Sequence, residues 1–307
     1  MAEWRKEDKE GPRERTPAAL WAYRLKQEAV LRRGKRRPRL VGAALWLVLH
    51  GLGLWNRGVR NASQVVLTRH TFAFPDLPEA FDGFRLLFMA DLHFREEPDH
   101  LEALCAVLDR AEADLCVLAG DYRCGIAVTE KRIVSSIEKA LAACKTRHGI
   151  AGVLGNNDTS DLLEPLRRTG ARILINEAFE LRLGPDSLWI AGVDDPRDFR
   201  CDNLGDATGA IPPGSFAVLL AHSPECIPDA ARRGIAFYLC GHTHGGQICL
   251  SEGRPLFANC ACPRRYARGP WRYDAMQGYT TTGVGTTAAP VRYHCPAEVA
   301  LIELRRE

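Results

Sequence analysis

Seven side chains, met at five places along the chain, have the types and spacing of a metal site. The segments are Asp91-Leu92-His93, Gly120-Asp121, Gly155-Asn156-Asn157-Asp158, His222 and Gly241-His242-Thr243-His244-Gly245-Gly246-Gln247, and each follows a short apolar run. The candidate ligands are Asp91, His93, Asp121, Asn156, His222, His242 and His244. Imidazole and carboxylate together suit Zn, Fe, Mn or a similar divalent ion, and no cysteine is in the set. Seven ligands exceed the needs of one four-coordinate ion but suit two ions that share a bridging carboxylate. Such a pair, ~3.5–4 Å apart, can hold a phosphoryl group and activate water at neutral pH. Glycines before Asp121, Asn156 and His242 let the backbone turn sharply and approach a ligand closely. Taken singly, Asp-x-His, Gly-Asp and Gly-Asn-Asn-Asp are more often turns, and His222 more often an ordinary hydrogen-bonded histidine. Gly-His-Thr-His-Gly-Gly-Gln by itself already favours a metal site, and the five segments together, in order and at strand ends, argue for one.

The elements that must position these residues are read from the apolar runs. Strands are predicted over 84–90, 115–119, 149–154, 173–175, 188–193, 216–221 and 237–239, with a closing strand at 299–304. Helices are predicted over 97–112, 128–145, 159–169 and 224–233. Alternation of this kind predicts a layered α/β or α+β domain. In open α/β sheets, ligands bind beyond the carboxyl ends of strands, which is where the seven residues fall.

In this combination the five segments resemble those of the calcineurin-like metallophosphoesterases. They are most similar to the single-domain bacterial branch with a membrane anchor or export leader, in which Gly-His-Thr-His is followed by Gly-Gly-Gln, as at 245–247. Arg265-Tyr266, the run 279–285, Arg292 and Glu298 are also similar to that branch. The resemblance spans roughly residues 80–305. It implies an α/β fold, a four-layer α/β/β/α sandwich, with a dinuclear site at one edge. It further implies that Asp91, His93 and His244 bind one ion, that Asn156, His222 and His242 bind the other, and that Asp121 bridges both. The cofactors would be two divalent metal ions, manganese, iron or zinc. The activity would be phosphodiester or phosphoanhydride hydrolysis by in-line attack at phosphorus.

One position departs from the family pattern. The family usually has Gly-Asn-His-Asp, whose histidine contacts the phosphoryl group and can protonate the leaving oxygen. Here that residue is Asn157. A carboxamide can donate a hydrogen bond to substrate but has no titratable proton near neutral pH. The change matters least where the leaving group needs no proton, and a phosphate monoester, with a second pKa near ~6, is such a group. This favours a phosphoanhydride, for example a lipid-linked pyrophosphate such as UDP-2,3-diacylglucosamine. The UDP-2,3-diacylglucosamine pyrophosphohydrolases of lipid A biosynthesis also lack the histidine at the matching position. The alternative is a catalytically silent, metal-binding, membrane-associated scaffold. Arg292 is a candidate for binding a phosphate or head group, and equally for a surface ion pair. Asp158 is expected to orient His222 or Asn156 from behind, or to cap a helix. Asp194-Asp195 reads as a solvated turn, and Cys240 as a small buried hydrophobe.

Composition sets the outer bounds. The chain has 307 residues, 46% of them hydrophobic and 26% charged, with a net charge of +3, which is ordinary globular composition and gives no sign of a nucleic-acid partner. Eleven cysteines without any CxxC pair fit a reducing compartment. Residues 1–39 carry a local charge of +7, densest at Arg32–Arg39, and lead into the nearly apolar stretch 40–55 with Trp46 and Trp55. Sixteen helical residues span roughly 24 Å, short of a ~30 Å hydrocarbon core. The stretch reads as a short transmembrane anchor, a cleaved leader, an interfacial helix or a buried core helix, and the basic flank favours a membrane-proximal role. The expected organisation is a basic arm (1–39), an apolar anchor segment (40–56), a linker and first strand (57–79) and a catalytic domain (80–307). The expected partners are a phosphorylated small molecule or lipid-linked substrate and a membrane, through residues 1–56. The expected location is the bacterial inner membrane, with the cytoplasmic face favoured.

Overall fold

A computed structural model of the chain describes residues 16–34, 38–96, 98–250, 254–256 and 260–307. Residues 1–15 of the basic segment and 35–37 of its densest run lie outside the described residues. The chain enters through three helices, α1 (Pro17–Gly34), α2 (Pro38–Gly51) and α3 (Trp55–Ser63). Strands β1 (Val65–Phe74) and β2 (Arg85–Met89) follow, then α4 (Leu101–Asp109), β3 (Glu112–Ala113), β4 (Leu115–Leu118) and α5 (Glu130–Ala142). Next come β5 (Lys145–Thr146), β6 (Ile150–Gly152), α6 (Leu163–Arg168), β7 (Arg172–Ile173), β8 (Glu177–Leu183) and β9 (Asp186–Gly192). The rest comprises α7 (Leu204–Thr208), β10 (Ala217–Leu220), α8 (Ile227–Arg232), β11 (Phe237–Cys240), β12 (Gly269–Tyr273), β13 (Met276–Thr280) and β14 (Ala297–Arg306).

β3 pairs with β5 in a small separate sheet, and the other twelve strands form two six-stranded sheets, ordered β1-β14-β2-β4-β6-β7 and β12-β13-β11-β10-β9-β8. Their inner faces meet in one core. Leu86 and Phe88 of β2 and Leu115 and Val117 of β4 lie against Val218 and Leu220 of β10 and Phe237 and Leu239 of β11. The intervening residues point the other way, because side chains alternate across a strand. Leu87, Met89, Cys116 and Leu118 pack under α4, α5 and α6. Ala217, Leu219, Tyr238 and Cys240 pack under α7 and α8. The central strands are thus buried on both faces, which is why they read as continuous apolar runs rather than alternating ones. The result is the expected α/β/β/α layering. Neighbouring parallel strands β2, β4 and β6 end side by side, as do β9, β10 and β11 in the other sheet.

The N-terminal segment requires a correction. Among the described residues no helix is long and apolar enough to cross a membrane, which leaves the transmembrane-anchor reading of 40–56 without support. The apolar run breaks after Gly51, turns through Gly53 at φ 66° and restarts as α3. Leu45 and Leu49 of α2 pack with Trp55 and Val59 of α3 against Val291, Tyr293 and Ile248 of the sandwich. Residues 17–34, read as part of a basic arm, form α1, whose Arg24 and Glu28 are buried against the sandwich.

Candidate active site

The structure brings all seven sequence-predicted ligands together where the two sheets' strand ends face each other. β2 delivers Asp91 and His93, β4 delivers Asp121, β6 delivers Asn156, β10 delivers His222, and β11 delivers His242 and His244. Asp91, His93, Asp121, His242 and His244 all have left-handed backbone, with φ between 45° and 68°. Aspartate and histidine are among the residues that visit this region most readily, and such conformations cluster at functional sites because the surrounding structure must hold them. Two glycines make the approach of the loops possible. A Cβ on Gly155 would collide with the Asp121 carboxylate, and one on Gly241 would come within 2.5 Å of Asp91 Oδ2. That carboxylate oxygen accepts from the His242 backbone N–H at 2.9 Å and so ties the two sheets together.

On one side, His93 Nε2 and His244 Nε2 lie 3.0 Å apart. Asp91 Oδ1, buried and without a hydrogen-bond partner, is 3.7 Å from the first and 3.5 Å from the second. On the other side, Asn156 Oδ1 lies 2.9 Å from His222 Nε2 and 3.0 Å from His242 Nδ1, and the two ring nitrogens are 3.2 Å apart. Asp121 Oδ2 stands between the groups, 3.4 Å from His93 Nε2 and 3.5 Å from His222 Nε2.

The residues present fit two cations. His222 Nδ1 donates to the Ala119 carbonyl at 2.7 Å, which leaves Nε2 as the ring nitrogen available to a cation, and that atom faces carboxamide and carboxylate oxygens. Asn156 Nδ2 donates to Asp198 Oδ2 at 3.1 Å, which turns the amide oxygen toward the same spot. Ring nitrogens and oxygens that converge at such distances are held together only by shared protons or by a cation. Ligand atoms of Asp91, His93 and His244, and those of Asp91, Asp121 and His222, each lie within 4.8 Å of one another. Burial opposes charge on every member, yet the outcomes diverge. Burial would raise Asp91, but His244 and His93 beside it hold it at about 2. Burial would lower His93, but the neighbouring Asp91, Cys124 and Asp121 lift it to about 10. For His244, burial prevails and brings it down to about 3. The first histidine pair thus combines a ring that favours its proton with one that sheds it, their Nε2 atoms 3.0 Å apart at the place a cation would occupy.

Residues around the cluster depart from expectation in three places. Asp158 neither orients His222 or Asn156 nor caps a helix. Its carboxylate accepts from the backbone N–H groups of Asp121, Tyr122 and Gly155 at 2.7–2.9 Å, locking the ends of β4 and β6 together. Arg292 does not face the site mouth. Its fully buried guanidinium donates to the carbonyls of Thr282, Gly283, Gly285, Cys295 and Pro296, and so braces the loop behind Asp91. Asp194-Asp195 is no solvated turn. Both carboxylates are buried at the end of β9, and Asp195 Oδ2 accepts from the Asp198 and Phe199 N–H groups at 2.7 Å. Asn157 does face the cluster, with its N–H 2.7 Å from Asp121 Oδ1 and its Nδ2 2.5 Å from Asp121 Oδ2. Asp198 was missed from sequence, although the rule that picked out Asp91, a polar residue beyond a strand end, also points at the loop after β9.

Similar proteins agree with this geometry. The family model for calcineurin-like phosphoesterase matches residues 84–246, which include every candidate ligand. Phosphodiesterase YaeI of Escherichia coli is 29% identical over 248 residues, covering 78% of this chain and 87% of its own length. The uncharacterized metallophosphoesterase YkuE of Bacillus subtilis is 24% identical over 249 residues, covering 78% of this chain and 85% of its own. A transmembrane protein with metallophosphoesterase domain from Danio rerio is 27% identical over 252 residues, covering 75% of this chain and 55% of its own. With the match extending over more than half of the chain and the converging donors set between two facing sheets, the protein belongs to the calcineurin-like phosphoesterase family and is a metal-dependent phosphohydrolase.

Proposed function

We propose that the enzyme hydrolyses a phosphoanhydride in a lipid-linked substrate of the UDP-2,3-diacylglucosamine type, working at a membrane surface. The observation that carries this reading is Asn157, whose carboxamide nitrogen lies 2.5 Å from Asp121 Oδ2 where the family usually presents a histidine. This side chain can steady a phosphoryl oxygen or the Asp121 carboxylate, but it has no proton to give to a leaving alkoxide. A departing phosphate monoester needs none.

Two divalent ions, held by Asp91, His93 and His244 on one side and Asn156, His222 and His242 on the other with Asp121 between, would polarise the phosphoryl oxygens and activate water. The chain's own contribution is placement. All seven donors are buried, so their charges act in a low-dielectric setting. The Ala119 carbonyl fixes the His222 tautomer, and Asp198 fixes the face that Asn156 presents.

A surface of α2 supports the membrane part of the reading. Trp46, Leu47, Val48 and Leu52 remain between 46% and 65% exposed, and Arg57 and Arg60 of α3 are exposed beside them. An apolar helix face with a basic flank suits an anionic lipid interface rather than a full span. The Danio rerio relative, named as a transmembrane protein, is consistent with membrane proximity.

The test is a substrate pair. Manganese-loaded protein offered UDP-2,3-diacylglucosamine and bis-p-nitrophenyl phosphate is expected to favour the anhydride, and Asn157→His is expected to shift the ratio toward the diester. An unchanged ratio would remove the leaving-group argument. Vesicles containing phosphatidylglycerol should retain the wild type and release a Trp46→Ser/Leu47→Ser variant.

A further inference from the structure

The side chains that hold the Asn156 half of the cluster do not end at Asp158 and Asp198. They continue to α1, which lies outside the matched region 84–246. Arg24, fully buried in the middle of that helix, donates through Nη2 to the Asp158 carbonyl at 2.7 Å and through Nη1 to the Asp194 carboxylate. Its guanidinium also lies over the Phe199 ring, 4.3 Å from the centroid. Its Nε donates to Glu28, whose carboxylate accepts from the backbone N–H and hydroxyl of Ser160 at 2.9 and 2.8 Å.

Both loops gripped in this way lead to Asn156. One is the loop after β6, in which the Asp158 peptide lies two residues beyond Asn156. The other is the loop after β9. There, Asp194 Oδ1 accepts from the Asp195 N–H, Asp195 Oδ2 accepts from the Asp198 N–H, and Asp198 Oδ2 accepts from Asn156 Nδ2. A guanidinium suits this junction because its planar fork can serve a carbonyl, two carboxylates and an aromatic face at once. Without it, Asp194 would be left buried and uncompensated, which is costly enough to move the loop.

We propose that Arg24 is a positioning residue for the second metal position: α1 is a built-in part of the site, wedged between the two loops that aim the Asn156 amide oxygen. No group of Arg24 touches a ligand atom or the substrate, so its effect passes through the two loops. The proposal rests on the two-ion reading of the seven ligands.

The experiment uses the full chain and reads manganese uptake by equilibrium dialysis, with melting in chelator measured alongside. The wild type is expected to take up two ions. Arg24→Met should retain the first affinity and weaken the second by about 10- to 100-fold, the usual cost of losing an outer-shell partner. Arg24→Lys should recover part of it. The double variant Arg24→Met/Asp194→Asn removes the buried unpaired charge. It should melt near the wild-type temperature in chelator while its second affinity stays weak, an outcome that a purely structural role would not produce. Lys139→Ala, at an exposed pair with Glu102 between α5 and α4, should change neither readout. If Arg24→Met fails to fold, the double variant and Arg24→Lys decide the matter. A second-ion affinity within about twofold of wild type in a folded variant lacking Arg24 overturns the proposal. A wild-type chain that takes up fewer than two ions overturns the two-ion reading and this proposal with it.

Discussion

The two halves of the cluster are held by different means. Around Asp91, His93 and His244 the backbone does most of the holding. All three residues have positive φ, and the Asp91 carboxylate is hemmed in by Gly241 and Gly283, at neither of which a Cβ would fit. The rings themselves have little side-chain support, and His244 Nδ1 is buried without a partner. In the other half only His242 shares the left-handed backbone; Asn156 and His222 do not, and their side chains are anchored instead, His222 by the Ala119 carbonyl and Asn156 by Asp198. A half built on local backbone is specified by short motifs. A half built on side-chain relays depends on loops far apart in the sequence and is the more easily retuned by them.

Substitutions can break or sharpen this contrast. Asp121 belongs to both halves, so Asp121→Ala should leave a folded chain whose kcat/KM falls by on the order of 10³ or more, since several kcal/mol of charge stabilisation go with the shared carboxylate. Measured turnover above about a tenth of wild type would show that the halves do not share it. Asp198→Ala strikes the relay-held half alone. It should weaken the second manganese by about 10- to 100-fold and leave the first unchanged, as read by dialysis. Gly241→Ala strikes the backbone-held half, where the added methyl meets Asp91 Oδ2 and Ala90 Cβ at 2.5 Å. Overpacking of this kind costs roughly 1–3 kcal/mol, and here it should lower the first affinity as well as the melting temperature.

The smallest expected effect is a pH slope. Burial lifts the Asp195 carboxyl to about 7, above its ordinary ~3.9. Between about pH 4 and 7 the folded chain therefore keeps a proton that the unfolded chain has released. Stability contributed by this group falls as pH rises through that window and stays lower above it. Asp195→Asn removes the fall, so urea unfolding in chelator should show the variant gaining on the wild type from pH 5 to pH 8. A constant difference across that range would mean that the carboxyl titrates normally.

Much of the sandwich was legible because its central strands are apolar on both faces, and a run such as 216–221 admits few other readings. Of the edge strands, β8 and β12 fall outside the predicted strands, and β1 is anticipated only as a first strand somewhere within 57–79. Each is only partly buried and mixes polar with apolar residues, as in Val65–Phe74, so the apolar signal is diluted. Residues 40–55 left several readings open because an apolar run looks alike whether lipid or protein covers it. Here Val291, Tyr293 and Ile248 cover one face, a fact that depends on segments more than 190 residues away.

The sequence by itself determined the donor set: which atoms can bind a cation, that they follow strand ends, and that Asn157 brings no titratable proton. Residue chemistry and short-range spacing are local properties and need no fold to be read. Tertiary structure alone decided who holds those donors in place. Arg292 is spent on carbonyls rather than phosphate, Asp158 locks two backbones, and Arg24 reaches Asp158 and Asp194 across 134 and 170 residues. A charged side chain looks the same in sequence whether it meets solvent, substrate or a buried loop, and only the packing of distant segments supplies the partner that settles it.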